Sequence, residues 1–576
     1  MKRTLLPLWR KPKGVISVLA GFLSPITFPL IAAIPPDVSL QKSNTIDARE
    51  QLRQQARERV LQQQNMPQAN ERLSRPDRQL PDYPVSEHPC FIIDRLVLNG
   101  EAASRFQWAL DAAAGATGRC LGGQGIVLVI NKVQNAILAK GYVTTRVMAQ
   151  EQDLTKGVLT LTLQPGRINQ IRFDEPVSWR GRLWNAIPAS SGDILNLRDI
   201  EQGLENFRRV PSASADIKIV PGEQEATSDL LVNWREGRPV RLSLGLDDSG
   251  SRSTGRYLGS ATLALDAPFA QNDLFYANIG KNLFEHGPFG NRSHTLNYFF
   301  PLGYWAVSAN YNDYTYHQNI PNANEVLRYS GKSDNLQLTI SRLLYRDQSN
   351  KTTLNLRGYR KHSTNAVNDI DIEQQKRRTA GWELGLNQHS YFGSSTLDAS
   401  LAWRRGTGAF NALPAPEESR HQGSARTGIL LGDLGINHPF ALGEQPWRVY
   451  SSVRGQWSPN ALTPQERMAI AGRYTVRGFD GEQMLSGEKG LLWRNEIGWN
   501  LFSRGHELYL AADYGRVSGP ATHDLIGHQL AGSATGLRGA LWGRFSYDLF
   551  AAVPLYKPAG FHTSGATAGF SVNLEI

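Results

Sequence analysis

The chain has 576 residues, more than one ordinary domain requires, and its 40% hydrophobic and 20% charged residues exclude a disordered chain. Its formal net charge is +10, but Lys2, Arg3, Arg10, Lys11 and Lys13 crowd into a first segment without acidic residues. Setting those five aside leaves +5, too little to argue for a nucleic-acid partner. Abundant Gly (54), Trp (13) and Tyr (19) suit a sheet-rich chain with interfacial aromatics.

Residues 1–33 read as a secretory signal. The basic start MKRTLLPLWRKPKG precedes an apolar stretch from Val15 to about Ile34, and Ala32 and Ala33 offer a small-residue cleavage site. Pro25, Pro29, Pro35 and Pro36 interrupt or flank the stretch, which argues against an anchored helix. No later run reaches the roughly 20 apolar residues of a spanning helix, so any membrane crossing must be made by strands.

A helix is expected over residues 44–64, with Asp47 as its cap and Glu50 completing a capping box. Leu52, Ala56 and Val60 form a thin apolar stripe on an otherwise polar surface. Such a helix is either solvated or sits in a polar cavity. The following segment, 65–89, holds Pro67, Pro76, Pro81 and Pro84 and reads as an extended, poorly ordered linker.

From Cys90 the texture changes to a β-α-α-β-β unit over 90–165, which recurs over 166–237. In the first copy, Phe91–Leu98 is strand-like, a helix is expected near Ser104–Ala113, and Ile126, Ile130, Val133 and Ile137 share the face of a second helix. Strands are expected near Val143–Ala149 and Val158–Leu163. In the second copy, Ile168–Phe173 reads as a strand, Trp179–Ala186 as a short helix, and Asn196 caps a helix with Ile200, Leu204 and Phe207 on its buried face. Strands Asp216–Val220 and Asp229–Trp234 complete it. Cys90 and Cys120 are the sole cysteines. In a secreted chain an even pair points to a disulfide, worth roughly 3–4 kcal/mol by loop-closure entropy; the alternative is two free buried thiols.

From residue 238 to 576 the chain becomes a series of alternating segments. In Trp305–Tyr314, Trp305, Val307, Ala309 and Tyr311 point one way and Ala306, Ser308, Asn310 and Asn312 the other. Phe545–Val553 and the final segment ending at Ile576 repeat the pattern. About sixteen such segments predict an all-β transmembrane barrel of antiparallel strands, preceded by the two α+β modules. A large soluble all-β protein would not need a polar second face on nearly every strand.

No catalytic constellation stands out. The 12 His are scattered, Gly331–Ser333 lacks the upstream glycine of a phosphate loop because Val326 stands there, and neither a GxSxG elbow nor an HExxH helix occurs. The chain is therefore read as a non-enzyme with no cofactor and no metal site.

Four phrases carry a family resemblance. RYTVRGF (Arg473–Phe479) resembles the sixth-loop motif of the two-partner-secretion outer-membrane transporters and of the wider BamA-like superfamily. LAADYG (Leu510–Gly515) resembles its companion motif on the thirteenth barrel strand. LRDIEQGLENFRRVPS (Leu197–Ser212) and EQDLTKGVLTL (Glu151–Leu161) resemble the two POTRA modules of that family. One departure is the C-terminus, Ile576, where an aromatic residue is usual.

The resemblance implies a polypeptide pore in the outer membrane, with POTRA modules in the periplasm and helix 44–64 as a plug. Its partners would be a large exoprotein engaged through its N-terminal secretion domain, outer-membrane lipid, and the barrel-assembly machinery that inserts it. The exoprotein would be a haemolysin, a filamentous adhesin or a contact-dependent inhibition toxin. The long loop 459–490 would fold inward, with Arg477, Gly478 and Phe479 anchored at Asp513 and Gly515 of the wall. Ile200, Leu204 and Phe207, with the strand residues Ile217 and Ile219, form the candidate partner-binding surface. A BamA-type insertase, whose members carry more POTRA modules, and a passive porin are the alternatives.

Overall fold

The computed structural model describes residues 36–65, 70–73, 80–283, 287–321, 325–420, 422–501 and 505–576, with side chains from residue 46 onward. The expected signal segment, 1–33, lies outside the described residues. The first described element is a helix, α1 (Pro36–Asn65). It begins upstream of Asp47, so Asp47 lies in its interior and forms no capping box with Glu50. Pro36 at the start needs no N–H partner there. Among the described residues no helix is long and apolar enough to cross a membrane.

The first module comprises β1 (Phe91–Ile93), β2 (Arg95–Gly100), β3 (Arg119–Leu121), α2 (Gly123–Ala139), β4 (Arg146–Met148) and β5 (Val158–Gln164). The helix expected near Ser104–Ala113 is instead a pair of 3-10 segments, Ala103–Arg105 and Gln107–Ala116. Its small alanines Ala109, Ala113 and Ala116 pack tightly against the core. On α2, Val133 and Ile137 are fully buried, while Ile126 and Ile130 flank the core. Cys90 and Cys120 are disulfide-bonded. The segment read as a disordered linker is partly ordered. Tyr83 packs into this core, and the Glu87 carboxylate accepts the N–H groups of Gly122 (2.6 Å), Gln124 (2.9 Å) and Gly125 (3.0 Å). It thereby caps α2, whose own N-terminus is glycine-rich and offers no capping side chain.

The second module comprises β6 (Arg167–Phe173), α3 (Leu197–Arg208), β7 (Ala213–Pro221) and β8 (Thr227–Glu236), in sheet order β6-β8-β7. Asn196 caps α3 by accepting the Arg198 N–H at 2.9 Å. The helix expected over Trp179–Ala186 does not form. Trp179 and Trp184 are exposed, and the segment is spent on the barrel. Asn185 donates to the Pro301 carbonyl at 3.1 Å and accepts from the Asn272 amide at 2.8 Å.

The wall begins with β9 (Val240–Asp247), β10 (Leu258–Asp266), β11 (Leu274–Asn282), β12 (Phe289–Leu302), β13 (Trp305–Pro321), β14 (Val326–Arg346) and β15 (Asn350–Val367). A two-residue stub, β16 (Ile370–Asp371), pairs on β15. The wall continues with β17 (Arg377–Phe392), β18 (Ser395–Thr407), β19 (Gly428–Leu442) and β20 (Gln445–Trp457). A long loop then carries the short hairpin β21 (Met468–Ile470) and β22 (Leu485–Gly487). The last wall strands are β23 (Lys489–Leu501), β24 (His506–Ser518), β25 (Gln529–Leu541), β26 (Phe545–Tyr556) and β27 (Thr567–Glu575). β27 pairs antiparallel with β9 from Ser571↔Asp247 to Glu575↔Ser243 and closes a sixteen-stranded barrel. Closure removes the free edges that an open sheet would leave in lipid. Leu336, Leu338 and Ile340 on β14 are exposed on the outer face, while Thr339 and Ser341 line the lumen.

α3 joins the second module to the barrel base. Ile200, Leu204 and Phe207 face the module core. The opposite, polar face is buried too. Glu205 accepts from Arg346 Nη2 (2.7 Å) and Arg209 Nη2 (3.0 Å), and is paired with Lys351. Asn206 donates to the Gly303 carbonyl at 2.8 Å, in the turn between β12 and β13. Burial pushes the Glu205 carboxyl up, but Lys351, Arg209 and Arg346 outweigh it and hold it below the ordinary range. The stabilisation from a lowered carboxyl is complete above its unfolded value of about 4.3 and is lost as pH falls through the folded value. Glu205→Gln takes the ion-pair partner from Lys351 and leaves Arg346 paired with Glu201 alone, and should cost about 3 kcal/mol at the junction. Limited proteolysis between the second module and the barrel is the check. The wild type should open only in acid, and Glu205→Gln should already be open at neutral pH.

Candidate functional site

The loop between β20 and β23 is too long for an ordinary hairpin. It folds into the lumen, where Met468, Ile470, Val476, Phe479 and Leu485 pack with Leu492, Val517 and Leu530 of the wall. Phe479 sits edge-on to Phe561 at 5.7 Å between ring centres. An apolar cluster inside a polar barrel gives the loop a fixed seat that hydrogen bonds alone would not.

Arg477 is the centre of that seat. Its Nε and Nη2 each donate to the Asp513 carboxylate at 2.6 Å, and its backbone N–H adds a bond at 3.0 Å. This is the two-pronged geometry that a guanidinium makes with a carboxylate. The remaining Nη1 donates to Glu496 Oε1 at 2.5 Å. Glu496 accepts from Arg538 Nη2 at 2.8 Å, Arg538 Nε donates to Glu507 at 2.9 Å, and Glu507 accepts from Arg448 Nε at 2.5 Å. A chain of alternating charge therefore runs across the inner wall from the loop. Asp513 reaches the lumen because its neighbours on β24, Leu510 and Ala512, face outward. Gly478 has φ +99°, and a Cβ there would lie 2.3 Å from the Val553 carbonyl oxygen. A Cβ on Gly515 would meet Val476 and Ile470 of the loop at 2.8 and 2.9 Å. The loop can lie on the wall because the wall carries no side chain there.

The same loop reaches the barrel's closing seam. Arg473 Nη1 donates to Asp248 Oδ1 at 3.0 Å, and that oxygen accepts the Phe570 N–H at 2.9 Å. Asp248 immediately follows β9 and Phe570 lies on β27, so loop, first strand and last strand meet at one carboxylate.

Helix α1 docks on both loop and wall. Arg53 Nη2 donates to the Gly481 carbonyl at 2.9 Å, and Arg49 donates to that of Glu482. Asp47 accepts from Gln465 of the loop at 2.9 Å and from Tyr316 of β13 at 3.2 Å. Glu50 accepts from Arg53 at 2.9 Å and from Tyr314 at 3.0 Å. The Arg57 guanidinium lies 5.8 Å from the Tyr314 ring centre. Nearly all of these contacts are polar. Each involves a charged group and contributes about 1.5–3 kcal/mol net. Beside the helix the lumen keeps a cavity of about 790 Å³ lined by loop and wall.

The residues read as the partner-binding surface separate into two groups. Ile200, Leu204 and Phe207 are at most 2% exposed, so no partner can reach them. Their periodicity marks the core of the module, because the other face of α3 is committed to the barrel. Ile217 and Ile219 lie on β7, half-buried over the same core. Among the described residues β7 pairs with β8 on one side only, and Asp216 and Lys218 are exposed. At the other end of the sheet, a bridge between Arg167 and Ile194 partly covers β6.

Glu496 belongs to this site, though no sequence motif marks it. Alternation on β23 carried the signal, since exposed Trp493 and Ile497 force Glu496 inward, in register beside the strand of Asp513. The seam contact of Arg473 and the docking of Arg49 and Arg53 left no such local mark.

Residues 226–539 match the family model described as haemolysin secretion/activation protein ShlB/FhaC/HecB. Residues 91–166 match a ShlB-type POTRA domain and 167–221 a POTRA domain. The chain is 36% identical over 515 residues to the outer membrane transporter CdiB-2 of Burkholderia pseudomallei, covering 86% of this chain and 88% of that one. Among solved structures, CdiB from Acinetobacter baumannii superposes with a TM-score of 0.81 at 31% identity, over 94% of this chain and 100% of the other. CdiB from Escherichia coli also gives 0.81, at 26% identity over 95% and 100%.

Proposed function

Because the chain belongs to the family of haemolysin secretion/activation proteins ShlB/FhaC/HecB, we propose that it is the outer-membrane pore through which one large exoprotein leaves the cell by two-partner secretion. The barrel spans the outer membrane and the POTRA modules stand in the periplasm. The observation that carries the reading is the lumen, in which a polar helix rests on an inward-folded loop. A passive porin has no use for either. We take the exoprotein to be a haemolysin, a filamentous adhesin or a contact-dependent inhibition toxin, engaged through its N-terminal secretion domain. The barrel-assembly machinery inserts the pore, and the pore itself carries out no catalysis.

Deleting this chain should leave the exoprotein in the periplasm while other outer-membrane proteins keep their levels. A general fall in outer-membrane proteins would instead favour an insertase.

Capture is assigned to the free edge of β7. An extended segment of the exoprotein adds there as a further strand, and backbone hydrogen bonds supply the affinity. Alternate N–H groups of an edge strand point to its neighbour and to the free side. Asp216→Pro and Ile217→Pro, made separately, therefore sample both directions. One of them should abolish binding of the secretion domain while circular dichroism still shows a folded protein. Normal binding by both folded variants would exclude this edge.

A further inference from the structure

The outer face of β11–β15 carries a row of side chains joined by strand register. Lys281 pairs across to Arg292, Arg292 to Thr315, Thr315 to Lys332, and Lys332 to Thr364. Thr315 lies between Tyr314 and Tyr316, whose hydroxyls bond to the helix inside the barrel. The row therefore faces outward. Lys281, Arg292 and Lys332 are exposed.

The height of Thr315 follows from the strand. The Trp305↔Arg342 pair stands just above the periplasmic turn that contacts the second module, with the guanidinium 4.8 Å from the Trp305 ring centre. A barrel strand crosses the hydrocarbon in about 9–11 residues, and Thr315 is ten residues beyond Trp305. The apolar outward residues Leu336, Leu338 and Ile340 lie between. Thr315 thus sits where the outer leaflet's headgroups begin, and Lys281, Arg292 and Lys332 line one concavity around it.

The outward row just below holds its charges in pairs. His294 meets Asp313 at 2.9 Å, and Asp334 meets His362 at 3.2 Å and Arg360 at 3.3 Å. Lys281, Arg292 and Lys332 have no hydrogen bond or ion pair from their side chains among the described residues. A concavity of about 530 Å³ opens at this place, lined by these three cations, Arg328, and the carboxylates Asp369 and Asp371. Four cations against two carboxylates leave a surplus of two positive charges.

We propose that this outward face of β11–β15 binds the phosphate groups of an outer-leaflet glycolipid of the lipid A type. The site rests on the outer-membrane placement given above and not on secretion. Phosphate matches lysine and arginine both as a charge and as a hydrogen-bond acceptor, and the threonines add hydroxyl donors. The lipid's acyl chains would run down the apolar strand face beneath.

The test uses the purified full chain in detergent, titrated with diphosphoryl lipid A and with its phosphate-free form, and followed by native mass spectrometry. The wild type should retain the diphosphoryl lipid preferentially. Lys281→Ser/Arg292→Ser/Lys332→Ser should weaken that binding about a hundredfold, since three cations at a membrane surface act together, and leave the phosphate-free lipid unaffected. Should the triple variant fail to give a heat-modifiable barrel, Lys332→Ser alone should weaken binding about fivefold. Lys281→Arg/Lys332→Arg should bind as the wild type does. Equal retention of the two lipids, unchanged binding by the serine variants, or displacement by inorganic phosphate would each overturn the proposal. Membrane fractionation checks the outer-membrane placement separately.

Discussion

Arg477→Ala is expected to abolish most secretion while the barrel still inserts. The substitution leaves Asp513, 3% exposed, and Glu496 without their shared cation. Asp513 keeps only the more distant Arg494 and Glu496 keeps Arg538; losing the two-pronged buried pair costs about 3 kcal/mol, enough to unseat the loop from the wall. Asp513→Ala should be the milder of the two, because Glu496 still holds Nη1. The double variant should resemble Arg477→Ala, since no contact between the two is left to lose. Arg477→Lys should rescue only in part, because an ammonium cannot engage both oxygens of Asp513 and Glu496 at once. The measurement is secreted exoprotein in the medium, normalised to heat-modifiable barrel in the outer membrane. If the two single defects simply add, Arg477 and Asp513 do not act as a unit.

Deleting residues 44–64 should raise single-channel conductance in planar bilayers several-fold, because a helix about 10 Å across leaves the lumen. Arg53→Ala should act differently. It removes both the bond to Gly481 and the pair with Glu50 but keeps the helix. The large-conductance state should therefore keep its amplitude and become more frequent. A loss of about 3 kcal/mol corresponds to roughly a hundredfold change in the ratio of open to closed states. Unchanged conductance in the deletion would mean that the helix is not what obstructs the pore.

Much of this architecture is written in local periodicity. Alternation at Trp305–Tyr314 and Phe545–Val553 describes a wall with a lipid side and a polar side whatever surrounds it, because the side chains of a strand must alternate. It also directs Asp513 inward before any partner for it is known. The repeat of strands and helices over 90–237 marks two modules for the same reason, since each amphipathic element must bury one face.

Periodicity says that a face is buried, and it is silent about what covers it. Ile200, Leu204 and Phe207 showed an apolar stripe that would serve a partner groove as well as a core. The decision came from α3's other face, where Glu205 meets Arg346 and Lys351 from a distant part of the chain. Asp47 looked like a helix cap because Glu50 follows it at the right spacing. It is an interior residue instead, bonded to Tyr316 and Gln465. Glu87 capping α2 and Arg473 reaching Asp248 belong to the same class. Strand, helix and facing are properties of a few neighbouring residues and can be read along the chain. A polar contact between segments distant in the chain has no period, and it exists only once the fold has brought those segments together.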